Sequence, residues 1–258
     1  EDLKEARRKG HLEEYVSLAG NFVRSASEIL GESSPQLADA LEIAGDLCME
    51  ASELTEAERY YLRAYELARE NKNYEQGGRV AGKLGQIFER LDEYGKAAEQ
   101  CRLALQNYEE AGVHSNHPTL LNQLGGLLRR MGANEEACKA YREAVENASQ
   151  IYGPKHESLA ILYNNLGVAL MDMGEFVQAE NNHLQALAIR ESNYGASHPE
   201  TAHSLANLGA LYYSWGDRDK ALRHFQAALE IYRKYYSPTS NEIVTLQGWL
   251  DFLEGGPT

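Results

Sequence analysis

A glycine recurs at Gly45, Gly85, Gly125, Gly167 and Gly209, 40 to 42 residues apart, and this period constrains the fold more than any other feature. Twelve positions after each glycine stands an alanine (Ala57, Ala97, Ala137, Ala179, Ala221), and seven further on another (Ala64, Ala104, Ala144, Ala186, Ala228). Between the two lies a bulkier residue: Tyr61, Cys101, Tyr141, His183 and Phe225. Antiparallel helices approach closely only where side chains are small, so Gly and Ala mark the crossing points and the larger residue fills the hole between them. Leu84, Leu124, Leu166 and Leu208 precede the glycines, and Phe88, Leu128, Leu170 and Tyr212 follow three later, which gives the first helix of each pair an apolar stripe.

These columns predict five helix pairs, at 36–75, 76–115, 116–155, 156–197 and 198–239. Gly132, Gly174 and Gly216 end the first helix in three of them, since glycine accepts the left-handed conformation of a helix stop. Ser52-Glu53 and Leu91-Asp92 occupy the same stretch in the first two pairs without glycine. Gly10 stands five residues before Tyr15, with Ala19 and Phe22 following, so residues 11–30 read as an orphan second helix within a capping region at 1–35. Residues 240–254 read as a first helix without its mate, within a capping helix and tail at 240–258. A stack of repeats needs such caps, because each repeat otherwise leaves an apolar face in water. The expected fold class is an all-α solenoid of antiparallel helix pairs.

Composition narrows the function. A net charge of −14 argues against a nucleic-acid partner, which needs a basic field. The apolar runs are short and broken by charge, so membrane insertion is not expected, and the charged start Glu1-Asp2-Leu3-Lys4-Glu5 is no signal core. Cys48, Cys101 and Cys138 lie far apart, on or beside packing columns, and read as buried structural thiols in a reducing, cytoplasmic setting. No phosphate loop, no G-x-S-x-G and no H-E-x-x-H occurs, so neither catalysis nor a metal or other cofactor is expected. His183 holds a packing column and reads as a core residue, while His117 and His198, each before a proline, read as caps of the next helix.

The fourth repeat reads Leu162-Tyr163-Asn164-Asn165-Leu166-Gly167, then Ala179-Glu180, Ala186-Leu187-Ala188-Ile189-Arg190-Glu191, Tyr194-Gly195 and His198-Pro199. Tyr152-Gly153 and Tyr236 fall on the Tyr194 column. This unit resembles the tetratricopeptide repeat, in the long form of kinesin light chains and nephrocystin-3-like proteins. The resemblance covers roughly residues 36–258 and is strongest from 118 to 235. It implies a right-handed superhelix whose first helices line a concave groove, and an adaptor or scaffold that binds peptides there. By family resemblance it also implies association with the cytoskeleton or cilium.

On that register the groove receives Asp39, Glu42, Asp46 and Glu50 from the first pair, and Arg79, Lys83 and Arg90 from the second. The third pair offers Asn122, Gln123, Arg129 and Arg130; the fourth and fifth offer Asn164, Asn165, His203, Asn207 and Tyr213. An amide both donates and accepts, which suits an extended peptide backbone, although the same asparagines could instead bridge neighbouring helices. Arg79 and Lys83, four apart on one helix, could with Arg130 receive a partner's carboxylates, or form a solvated basic face. In kinesin light chains the groove holds acidic cargo peptides, often around a tryptophan, and the resemblance implies such a ligand on Asn165, Asn207 and Lys83. Ile161 and Gln123 depart from the family's columns. The alternative is an assembly scaffold, self-association included, that uses the convex face or the ends, with Tyr232 to Tyr236 as contact surface. A clamp for a C-terminal carboxylate is incomplete, because Glu42 and Asp46 stand at its basic and amide positions.

Overall fold

A computed structural model describes the backbone of residues 2–255 and the side chains of residues 15–255. Among the described residues there are twelve α-helices and no strand: α1 (Asp2–Leu30), α2 (Pro35–Glu50), α3 (Leu54–Glu70), α4 (Tyr74–Arg90), α5 (Tyr94–Glu110) and α6 (His117–Arg130). They continue as α7 (Asn134–Tyr152), α8 (Glu157–Asp172), α9 (Phe176–Tyr194), α10 (Pro199–Trp215), α11 (Arg218–Tyr235) and α12 (Asn241–Gly255). They form two compact units, residues 1–127 and 128–258. In the first, α2 packs on α3 and α4 on α5; in the second, α8 packs on α9 and α10 on α11. The N-terminal helix is longer than expected: Gly10 lies inside α1, which covers α2 with Ala19 and Val23 buried.

The two alanine columns have no exposed surface at any of their ten positions. Gly45, Gly167 and Gly209 are held by contact, since a Cβ there would lie 2.3 Å from Tyr61, 2.7 Å from His183 and 2.5 Å from Phe225. Gly85 differs because its column partner is the small Cys101, and a Cβ would meet nothing nearer than 3.5 Å. Equivalent substitutions should therefore have opposite signs. Gly85→Ala should raise the urea midpoint read by circular dichroism, gaining about 1 kcal/mol of helix propensity. Gly209→Ala should lower it, with a stability loss of roughly 1–3 kcal/mol, because the buried Phe225 ring has nowhere to move.

The turns repeat as regularly as the core. Ser52, Lys72 and Asp92 take positive φ (61°, 55° and 58°), the conformation that Gly112, Gly132, Gly174 and Gly216 supply elsewhere. In each of these seven turns the next residue's N–H returns to a carbonyl five residues back, as from Glu53 to Cys48 at 2.8 Å and from Asp217 to Tyr212 at 2.9 Å. His198 caps α10 as expected, its Nδ1 accepting from the Glu200 N–H, and His156 does the same for α8. His117 does not cap, because it is itself the first residue of α6. Tyr152 and Tyr194 stack on those two capping histidines at 4.8 Å, which explains the tyrosine column.

Candidate functional site

In the first unit, α2 and α4 meet through a polar ladder whose rungs join residues 37 apart. Gln76 Nε2 donates to Asp39 at 2.8 Å. Arg79 forks onto Glu42 through Nε at 2.8 Å and Nη2 at 3.1 Å. Lys83 Nζ lies 2.6 Å from Asp46 and 2.9 Å from Glu42. The Tyr61 hydroxyl donates to Asp46 at 2.6 Å. Glu42 is buried, which pushes its carboxyl up, but hydrogen bonds and charge from Arg79 and Lys83 outweigh burial and hold it below the usual range. Arg79 and Lys83 thus already hold carboxylates of the chain itself, which a partner's carboxylate would have to share or displace.

Both cations also border a cavity of about 390 Å³ between α4 and α6, lined by Gly78, Arg79, Gly82, Lys83, Gln86, Tyr108, Asn116, Thr119, Leu120 and Gln123. Its only charged lining residues are the two cations, and its floor includes the apolar Leu120. Gly82 opens it. A Cβ at Gly82 would meet nothing closer than Leu120 at 3.9 Å, whereas Gly77 and Gly78 are pressed against Asn107 and Tyr108 at 2.5 and 2.9 Å. Gln123 donates to Glu89 at 3.1 Å on the same wall. Arg90 is exposed at the end of α4, and Asn122 is half-buried on α6.

In the second unit the amides meet each other. Asn164 Oδ1 accepts from Asn207 Nδ2 at 2.5 Å and lies 3.1 Å from His183 Nδ1. Asn207 thus meets Asn164 across neighbouring helices, and the shared carbonyl ties α8, α9 and α10 together. Asn165, beside it on α8, is half-buried. His183 is buried as the packing column implied, and burial, followed by the nearby His203, pushes it down to about 4. His203 lies 3.0 Å from the buried Arg190, and desolvation and that cation hold it below the usual histidine range. Arg129 Nε donates to Asp172 at 2.7 Å, Arg130 is exposed, and Tyr213 packs on Trp249 at 4.9 Å. Of the tyrosine run, Tyr232 is buried, so only Tyr235 and Tyr236 offer surface.

Residues 117–170 and 158–234 match the sequence model of the tetratricopeptide repeat. This stretch, residues 117–234, belongs to the tetratricopeptide repeat family. These are protein–protein interaction modules. Among solved structures, the repeat chain is similar to BtubC (BKLC) from P. vanneervenii, with 26% identity over 89% of this chain and 95% of that one and a TM-score of 0.70. It shares its fold with YrrB, described as a tetratricopeptide protein with an unusual peptide-binding site (18% identity, 88% and 97% covered, TM-score 0.60). A putative kinesin light chain repeat protein from Podosopora anserina has the same fold (16% identity, 78% and 96% covered, TM-score 0.67). No curated protein sequence gives a significant match. Among the described residues no helix is long and apolar enough to cross a membrane.

The repeat register misses Gly78, Tyr108, Asn116 and Leu120 as cavity residues, while Gly82, Gln86 and Thr119 stand on its groove-facing columns outside the set of candidate residues. A signal for them exists in α4, which contains four glycines (Gly77, Gly78, Gly82 and Gly85) although each costs a helix about 1 kcal/mol. Gly82 falls on a groove-facing column, where an absent side chain leaves room.

Proposed function

We propose that this protein binds an extended segment of a protein partner through the α4–α6 cavity, with an acidic side chain of that segment entering between Arg79 and Lys83. The observation that carries the reading is a cavity in which Arg79 and Lys83, each paired on its other side with a carboxylate of α2, are the charged lining groups and no carboxylate lines the wall. Its volume of about 390 Å³ lies in the range of small binding sites, and the Gln86, Asn116 and Gln123 amides can pair with a peptide backbone. YrrB, which shares the fold, is described as having a peptide-binding site, and this supports the same class of ligand.

The ladder sets the affinity in this scheme. Asp46, about half exposed, competes with the incoming carboxylate for Lys83. Asp46→Asn should tighten binding of a fluorescent glutamate-rich peptide, and Lys83→Gln should weaken it by about tenfold or more, the loss of a charge-assisted hydrogen bond. Gly82→Met should block the cavity while leaving the helical signal unchanged. Glutamate-peptide anisotropy that is indifferent to both Lys83→Gln and Gly82→Met would remove the proposal.

A further inference from the structure

The second unit carries a surface of different chemistry. Tyr213 on α10 and Trp249 and Phe252 on α12 form an aromatic cluster with ring centroids 4.9, 6.2 and 6.3 Å apart. They are 38%, 36% and 58% exposed, and with Thr245 and Gly248 they line an open cavity of about 390 Å³. Trp249 is anchored from below, stacked on Phe225 at 6.0 Å. The buried face of α12 is separate: Ile243, Leu246, Leu250 and Leu253 hold the helix in place. The outer side of the aromatic cluster is left open to solvent.

Its register is informative. Trp249 stands 42 residues after Asn207, itself 42 after Asn165, so an indole replaces the amide of the preceding repeats. The charges are one-sided. Asp251 and Glu254 of α12 stand two residues from Trp249 and Phe252, and neither α10 nor α12 carries a lysine or arginine. The cations that reach α12 come from α11, with Arg218 on the Leu253 carbonyl and Arg233 on Gln247. An aromatic face is negative at its centre and attracts ammonium and guanidinium groups, more strongly when the surroundings are anionic.

We infer that the Tyr213–Trp249–Phe252 cluster is a second docking site, for a lysine- or arginine-bearing segment of a partner protein. The cation sits over the aromatic faces and its aliphatic stem covers the Gly248 gap. An acidic segment is disfavoured here, because its carboxylates would face both ring quadrupoles and like charges.

The test uses the full chain and a fluorescein-labelled peptide alternating arginine with glycine, read by anisotropy. The double variant Tyr213→Ser, Phe252→Ser, which spares the buried face, should bind at least about tenfold more weakly with an unchanged melting curve. The same peptide with citrulline for arginine should bind the wild type as weakly. The Gly82→Met variant should bind the arginine peptide normally, which separates this site from the α4–α6 cavity. Equal binding by the double variant would mean attraction to net charge alone, and equal binding of the citrulline peptide would mean a merely apolar patch. Either result, or no binding by the wild type, overturns the inference.

Discussion

Replacing Arg190 with alanine should destabilise residues 128–258 by about 2–4 kcal/mol, the sum of lost charge-assisted hydrogen bonds and the cavity left by the stem. Arg190 ends the Ala-Leu-Ala-Ile-Arg run of α9, with its side chain 6% exposed. Its Nη1 lies 3.0 Å from both His203 Nδ1 and the Ser204 hydroxyl, and its Nη2 lies 3.4 Å from Glu200. Ser204 is 1% exposed, so losing its donor leaves a buried hydroxyl that water cannot reach. Glu200 is half exposed and contributes little, because solvent screens it. Lysine should not rescue, since one ammonium cannot span the positions that the planar fork reaches. Arg190→Met should recover the packing part alone. Both tryptophans, Trp215 and Trp249, lie in this unit, so urea unfolding followed by indole fluorescence reports on it directly. A second readout is specific to the charge: without Arg190, the His203 titration seen by NMR should move up, since that cation is one cause of its depression.

The same unit should lose stability in acid. His183 is neutral in the fold, with its value lowered from 6.5 to about 4 by burial first and His203 second. Its folded value is depressed, so its full contribution is present above pH 6.5, falls as pH drops towards 4 and is gone below that. The span corresponds to no more than about 3.5 kcal/mol, at 1.36 kcal/mol per unit. His203 and His224, also lowered chiefly by burial, act in the same direction. The urea midpoint read from tryptophan fluorescence should therefore fall markedly between pH 7.5 and pH 4.5. His183→Phe copies the Phe225 solution of the next repeat and should remove much of that slope, with Asn164 keeping its donor from Asn207. An unchanged slope in His183→Phe would mean that His183 is not the group being protonated.

Much of the architecture was legible because packing geometry forces a period. The Gly and Ala columns mark crossings, and three of the glycines face the bulky residue sixteen positions later that the pattern assigned to them. Gly85 follows the same logic with the sign reversed, because Cys101 leaves room that tyrosine and phenylalanine do not. The turns were legible only in part. Ser52 and Asp92 adopt the left-handed conformation without glycine, since the preceding helix and its returning hydrogen bond hold them there. The length of α1 was not legible, because Gly10, which reads as a stop, continues the helix.

The site divides along a different line. Sequence alone placed Arg79, Lys83, Gln123, Asn164 and Asn207 on one column set, because helical spacing fixes which face a residue occupies. Whether those groups are open or engaged depends on the lateral shift between neighbouring helices, which no spacing within one helix records. That shift brings Glu42 to Arg79 and Asp46 to Lys83, and it puts one shared carbonyl between Asn207 and His183. The sequence by itself determined the paired helices, their crossing points and the residues offered to a groove. The tertiary structure decided which of those residues are neutralised by the chain's own acids and where a missing side chain opens a cavity. Burial of Gly and Ala is a demand each helix carries in its own pattern, whereas a polar contact exists only once two helices take their places.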